Sequence, residues 1–281
     1  MTIIGILYHP KIVTSQPLAA EIEAWLTQRG VTAWTASAWE EAAFSEALAG
    51  ADFLLVLGGD GSTLHAARLA LPYKIPIFGV NLGRVGFLSE AQPDNWRDKL
   101  SKIVQGEYWI EERLMLHAAL RRNGQMINSF SALNDLVIGR GRQARVLHLH
   151  LSVDGDYVTT YTADALIVAT PTGSTAYSMA AGGPLLPPQL QNFVVVPVAA
   201  HLSLDRALVL HEEAEITIQV QMGHEAMLTA DGQDGLDLES ADEVVIRKHE
   251  NHSYFARVES SGYFYRRLMR RLGYLRPQSE G

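Results

Sequence analysis

Two stretches of this chain carry residue types able to do chemistry. The first, FLLVLGGDGSTLHAAR, occupies residues 53–68. An apolar run ends in a glycine loop that opens a helical pattern. That geometry turns backbone N–H groups and a helix N-terminus towards phosphate. Gly58, Gly59 and Gly61 lack Cβ atoms and are expected to turn at positive φ and admit an anion closely. Asp60 does not suit a phosphate cradle, because a carboxylate repels phosphate. It suits a metal ion or the proton of a hydroxyl. The loop is neither GxxxxGK[ST] nor GxGxxG, and an ordinary turn with Asp60 or Ser62 capping the helix is the alternative. The second stretch, DALIVATPTGSTAYSMAAGGP, occupies residues 164–184. A strand feeds four hydroxyl residues, Thr170, Thr172, Ser174 and Thr175, which offer donors to a ligand, while Pro171 and Gly173 fix the backbone. A Ser/Thr-rich loop that merely caps a helix near 176–181 is the alternative there.

The elements that must position these stretches fall into two kinds. Ile3–Tyr8, Ala51–Leu57 and Ile75–Val80 read as apolar strands. Ser15–Arg29, with Ser15 as N-cap, Ser62–Leu71 and Asp94–Val104 read as helices. This alternation predicts a parallel sheet faced by helices. The pattern then changes. Met115–Arg121, Val146–Val153, Tyr157–Tyr161, Leu166–Thr170, Phe193–Ala199, Ile216–Met222, Val244–Lys248 and Tyr254–Val258 are strand-like, as in an antiparallel sandwich. Helical spacing returns over Gly262–Leu272. The organisation expected is an α/β domain over 1–112, a β-sandwich over 113–261, and a segment over 262–281 packing back on the first domain.

Composition excludes several classes. The 281 residues include no Cys, so disulfides, thiolate metal sites, iron–sulfur clusters and a Cys nucleophile are out. Lys plus Arg number 23 against 31 Asp plus Glu, a formal charge of −8. That argues against nucleic acid as a partner, which needs clustered cations. No stretch approaches the roughly 18 apolar residues of a membrane span, and MTIIGILYHP lacks the basic start of a secretory signal. A cytoplasmic setting fits. His148 and His150 share a strand face and, like His249 and His252, read as solvated rather than metal-binding. Arg266, Arg267, Arg270 and Arg271 read as a solvated, partly ion-paired helix face.

LVLGGDGSTLHAAR paired with TPTGSTAYS resembles the NAD kinases, enzymes that phosphorylate the 2′-hydroxyl of the adenosine ribose of NAD. GVNLGRVGFL (79–88), LNDLVIGRG (133–141), VPVAAHLSLDRALVL (196–210) and ADGQ (230–233) resemble further segments of that family. The likeness runs over roughly residues 50–275. GGDG alone is shared with diacylglycerol, sphingosine and phosphofructo-kinases, so a lipid or sugar kinase is the alternative, and a non-catalytic NAD(H)-binding regulator a third reading. The resemblance implies a Rossmann-like α/β domain followed by a β-sandwich that binds NAD.

It also implies roles. Asp60 would be the general base, with Gly58 and Gly59 on the ATP-phosphate side and Gly61 at the dinucleotide. Asn134 and Asp135 would bind ribose or nicotinamide-side groups. Asp164, Thr175, Ala176, Tyr177, Ser178 and Ala199 would line the NAD site. Phe87 would stack on adenine and Gln233 would close the pocket. Arg145 would face the phosphates; His65 and Thr162 stand where relatives carry Arg, and Ala200 and Ala207 replace prolines. ATP as donor, Mg²⁺ or another divalent cation without direct protein ligands, and a homodimer or homotetramer complete what the resemblance implies.

Overall fold

The computed structural model describes residues 2–83, 86–141, 145–201, 203–221 and 225–274. Arg84 and Val85 of the 79–88 motif, Met222 at the end of one expected strand, and the last seven residues of the expected returning segment lie outside them. In chain order the elements are β1 (Ile3–Tyr8), α1 (Ser15–Thr27), β2 (Thr32–Ser37), α2 (Ser45–Leu48), β3 (Phe53–Gly58), α3 (Asp60–Ala70), β4 (Ile77–Asn81), α4 (Trp96–Gln105) and β5 (Trp109–Arg113). Then come β6 (Leu116–Arg122), β7 (Gln125–Ala132), β8 (Asp135–Arg140), β9 (Leu147–Val153), β10 (Asp156–Ala163) and β11 (Ala165–Ala169). After them follow the short helix α5 (Tyr177–Ala180), β12 (Asn192–Val198), β13 (Leu208–His211), β14 (Ile216–Val220), β15 (Ala226–Ala230), β16 (Gln233–Leu238), β17 (Glu243–Lys248), β18 (Ser253–Arg257) and α6 (Tyr263–Arg271).

The chain forms two compact units, residues 1–112 with 253–281 and residues 113–252. The first holds a six-stranded sheet in the order β2-β1-β3-β4-β18-β5. Its β1–β2, β1–β3 and β3–β4 pairings are parallel, as the βαβ alternation requires, and β18 joins β4 in parallel as well. α1 buries Ala19, Ile22 and Leu26, spaced by three and four, and α4 buries Trp96, Leu100 and Ile103 the same way. These side chains join Ile4, Ile6, Leu55, Leu57, Phe78 and Val80 in one core.

Two details of this unit depart from the sequence reading. Ser15 does not cap α1; Thr14 holds that position without a side-chain bond. The Ser15 hydroxyl instead accepts the His9 N–H at 2.8 Å and donates to the Leu57 carbonyl at 3.3 Å, tying α1 to the sheet. The returning segment starts earlier than residue 262, because β18 pairs with β4 and so belongs to the first sheet. A five-residue apolar strand looks the same to periodicity whichever sheet it joins.

The second unit contains two six-stranded antiparallel sheets, β10-β9-β14-β17-β6-β7 and β13-β12-β11-β8-β15-β16. Alternation is plain in β9, where Leu147, Leu149 and Leu151 point inward and His148 and His150 outward. Inward residues of both sheets form a single core that includes Leu120, Ile138, Tyr161, Phe193, Ile218, Leu228 and Ile246. Three hairpins turn on two residues with positive φ: Asn123-Gly124, Asp154-Gly155 and Asp231-Gly232. That is the chemistry a tight hairpin matching the strand twist demands.

Candidate active site

In the first unit, β3 delivers Gly58 and α3 begins at Asp60, with Gly59 as N-cap. Asp60 does not cap its own helix. Its Oδ2 accepts the Phe87 N–H at 3.0 Å and its Oδ1 the Leu88 N–H at 3.2 Å, so the loop after β4 holds the carboxylate by both oxygens. Arg271 Nη1 stands 3.6 Å from Oδ2. A Cβ on Gly86 would fall 2.0 Å from Oδ1, so only glycine leaves room for this placement.

The glycines of GGDG act otherwise than expected. Positive φ occurs at other glycines, and Gly59 is extended at φ −102° and ψ −171°. A Cβ on Gly58 would strike the Ser62 hydroxyl at 2.2 Å, whereas positions 59 and 61 have nothing within 4 Å. Gly58 is thus a packing glycine, and Gly59 and Gly61 leave the helix start open to an incoming group.

His65 and Phe87 are engaged in the fold. His65 is buried, its Nε2 2.8 Å from the Ala38 carbonyl oxygen and its ring stacked on Trp39. Phe87 is 7% exposed, packs near Phe264, and carries the Arg271 guanidinium 4.7 Å above its ring. The basic face of α6 is not simply solvated. Arg267 is largely buried and donates to the Ser89 carbonyl and to Glu90 Oε2.

In the second unit, Asn134, Asp135, Ala176 and Tyr177 come together around a pocket of about 360 Å³, with Val137, Thr229, Asp231 and Gly232. Asp231 escaped the sequence reading. Its carboxylate accepts the backbone N–H groups of Leu133 (3.0 Å), Asn134 (2.7 Å) and Asp135 (3.3 Å), shaping the strand start that carries the Asn-Asp pair. The Asp-Gly turn of ADGQ is the available signal, which the sequence reading uses only as a segment resembling the family. Asp135 is 5% exposed. Burial, reinforced by the neighbouring Asp231 charge, pushes its carboxyl up to about 7, against the Tyr177 backbone N–H, which favours the ionised form.

The hydroxyls of TPTGST mostly build the turn rather than offer themselves to a ligand. Thr170 donates to the Leu133 carbonyl, Ser174 to Pro171 and Thr175 to Thr172, and Thr172 accepts from Arg113. Gly173 lies where a Cβ would meet the Asn134 carbonyl oxygen at 2.0 Å, so this turn packs directly on the Asn-Asp segment. What it presents outward is Tyr177, 45% exposed. Ser178 is fully buried against Gly183.

The remaining expected residues are more dispersed. Asp164 pairs with Arg140 at 3.4 Å, and Thr162 Oγ1 lies 3.1 Å from His148 Nδ1. Ala199 adopts a left-handed φ of +49°. Gln233 opens β16, and Arg145 is exposed. Among the described residues, no group of three or more His, Asp or Glu could hold a metal ion, and no helix is long and apolar enough to cross a membrane.

Comparison with known proteins decides the family. The ATP-NAD kinase N-terminal domain matches residues 14–108 and the ATP-NAD kinase C-terminal domain residues 133–258. The chain belongs to the NAD kinase family. An NAD kinase of Chloroflexus aurantiacus is 40% identical over 269 residues, 96% of this chain and 98% of that one. That of Carboxydothermus hydrogenoformans is 44% identical over 214 residues, 76% of each chain. Among solved structures, an NAD kinase from Archaeoglobus fulgidus in complex with ATP superposes with a TM-score of 0.76 at 28% identity, covering 98% of this chain and 100% of that one. The yeast NADH kinase complexed with NADH gives 0.83 at 22% identity, covering 100% and 90%, a likeness of fold. The α/β unit followed by an antiparallel β unit is therefore the NAD kinase architecture, and the chain is an NAD⁺ kinase, a phosphotransferase.

Proposed function

We propose that Asp60 is the general base of this NAD kinase, taking the proton of the adenosine-ribose 2′-hydroxyl as the γ-phosphate of ATP is transferred to that oxygen. The observation that supports this most is the Asp60 carboxylate itself. It is fixed by two backbone amides at a helix start that Gly59 and Gly61 leave open. Each oxygen gives one lone pair to an amide and keeps another for a substrate hydroxyl. Phosphoryl transfer asks the protein chiefly for positioning and charge neutralisation, and a well-placed base adds roughly 10²–10⁴-fold.

The rest of the reading assigns dinucleotide binding to the second unit. Asp135 and Asn134 hold hydroxyl and amide groups, Tyr177 supplies a ring face, and Asp164, Thr175, Ala176, Ser178, Ala199 and Gln233 complete the surroundings. Arg145 and Thr162 face the phosphates, with Gly58 and Gly59 on the donor side and Gly61 and His65 nearer the acceptor. Phe87 serves adenine, with Arg271 over one face of its ring. A divalent cation such as Mg²⁺ enters with ATP as part of the substrate; the amide-bound Asp60 carboxylate offers no ligand set of its own. A cytoplasmic homodimer or homotetramer without membrane or nucleic-acid partners belongs to the same reading, supported by family resemblance and the −8 charge.

The test supplies ATP, Mg²⁺ and NAD and reads NADP with an NADP-specific dehydrogenase. Asp60→Ala is expected to keep the wild-type melting profile and lose at least about 10²-fold in turnover. Wild-type NADP production by that variant would refute the assignment. Phosphorylation of diacylglycerol or a sugar phosphate in place of NAD would favour the broader GGDG kinases instead.

A further inference from the structure

The loop after β4 is suspended between Asp60 and two arginines of the returning segment. On one side, the amides of Phe87 and Leu88 donate to the Asp60 carboxylate. On the other, Arg257 Nη1 donates to the Leu88 carbonyl at 2.9 Å, and Arg267 Nη1 donates to the Ser89 carbonyl and reaches the Phe87 carbonyl at 3.5 Å. The next two amides, Glu90 and Ala91, donate to the Gly79 carbonyl at 2.8 and 3.0 Å. Of the two amides that reach Asp60, that of Leu88 belongs to the peptide unit whose Phe87 carbonyl meets Arg267.

The peptide unit between Phe87 and Leu88 shows the linkage directly. A trans peptide is a rigid plane whose C=O and N–H point in opposite directions. Here the C=O faces Arg267 and the N–H faces Asp60. A guanidinium on the carbonyl fixes the tilt of that plane and polarises the N–H at its far end. Arg267 is itself aimed by Glu90, whose Oε2 it reaches at 3.0 Å. Glu90 Oε1 in turn accepts the Val258 and Glu259 N–H groups at 3.0 and 2.8 Å. On α6, Tyr263, Arg267 and Arg271 recur at intervals of four and so share one face. Tyr263 donates to Glu111, and Arg271 approaches Asp60.

We propose that Arg267 is a positioning residue for the Asp60 base, acting through the Phe87–Leu88 peptide; this rests on the reading of Asp60 above. Arg267 makes a better probe than Arg257, because Glu90 keeps Arg257 Nη1 at 3.2 Å and two amides when Arg267 is removed. Misplacing a reacting group by about 1 Å costs on the order of 10²-fold, so loosening the loop should lower kcat and leave substrate binding nearly intact.

The experiment is a double-mutant cycle on the full chain with Arg267→Met and Asp60→Asn, read as NADP formed, with thermal unfolding recorded for each variant. Arg267→Met is expected to lower kcat roughly ten- to a hundredfold, with KM for NAD and ATP changed less than about threefold. In the Asp60→Asn background the same substitution is expected to change the residual turnover less than about twofold, since no base remains to be aimed. Arg267→Lys, which keeps the charge and loses the fork, is expected to fall between, and it carries the cycle if Arg267→Met does not fold. An equal loss from Arg267→Met in both backgrounds, or an unchanged kcat in the wild-type background, overturns the proposal alone. Wild-type turnover by Asp60→Asn overturns the base assignment and the proposal with it.

Discussion

Asp135 is buried beside Asp231, whose carboxylate is itself held by the amides of residues 133–135. Burial first, and the Asp231 charge second, lift the Asp135 carboxyl from 3.8 to about 7. The sign follows. The folded state keeps a proton that the unfolded chain releases, so this residue's contribution to stability is full below about pH 4 and is lost as pH rises through about 7. Asp135→Asn, which cannot ionise, is expected to melt roughly 5 °C higher than wild type at pH 8, with a smaller difference at pH 5. Ligand hydroxyls prefer the ionised acceptor, so wild-type KM for NAD is expected to fall between pH 6 and pH 8. The Asn variant should show a higher, flat KM. Scanning fluorimetry at the two pH values and a KM series across them check both halves.

Gly86→Ala tests whether Asp60 must sit where it does. The new methyl carbon would lie 2.0 Å from Oδ1 and 2.5 Å from Cγ. The obstacle is the end of a side chain, so Asp60 can rotate away at the loss of two amide bonds, each worth about 1 kcal/mol net. The variant is expected to fold, melting within several degrees of wild type, while kcat falls roughly a hundredfold. Turnover within a factor of about two of wild type would show that the amide-bound position is dispensable.

Much of this was legible in the chain, and what was not has physical reasons. The apolar periodicity of Ile3–Tyr8, α1 and α4 pointed to the α/β unit, and the succession of strand-like runs such as Val146–Val153 pointed to the β unit. The edge strand β2, TAWTAS, went unread because it has few apolar positions to alternate. GGDG pointed to Asp60, yet not to Phe87, Leu88 and Gly86, because contacts 26–28 residues away leave no local pattern. The TPTGST hydroxyls misled for the opposite reason. Their local bonding to backbone satisfies the turn itself, and composition cannot distinguish an inward hydroxyl from an outward one. Arg267 read as surface because a charged residue on a helix usually is; its buried partner Glu90 lies 177 positions earlier.

Tyr177 separates binding of the two substrates. Its ring is the exposed aromatic surface beside Asn134 and Asp135, and stacking on such a face is worth roughly 1 kcal/mol. Tyr177→Ala is expected to raise KM for NAD about five- to tenfold and leave KM for ATP within about twofold of wild type. Tyr177→Phe should stay near wild type, since it keeps the ring and loses only the hydroxyl. Initial-rate kinetics with each substrate varied in turn checks this, and equal rises in both KM values would place Tyr177 away from the dinucleotide.

Arg257 carries the stability of the first unit's interior. It is 1% exposed and donates to Glu111 Oε2 at 2.9 Å, to Glu90 Oε2 at 3.2 Å and to the Leu88 carbonyl. Both carboxylates are buried, and Tyr263 adds its hydroxyl to Glu111. Removing the cation takes a charged partner from buried Glu111 and one of several partners from Glu90, which keeps Arg267 and two amides. Breaking a buried pair costs about 3–5 kcal/mol. Arg257→Met is therefore expected to lower the urea midpoint sharply, by more than an exposed cation such as Arg206, whose ion pair with Asp205 lies at the surface. Adding Glu111→Gln to Arg257→Met should recover part of the loss, because the buried carboxylate that lost the Arg257 cation is then neutral. Urea unfolding of the single and double variants, with Arg206→Met as the surface control, measures this. A double variant no more stable than Arg257→Met would mean that lost packing, rather than unpaired charge, sets the cost.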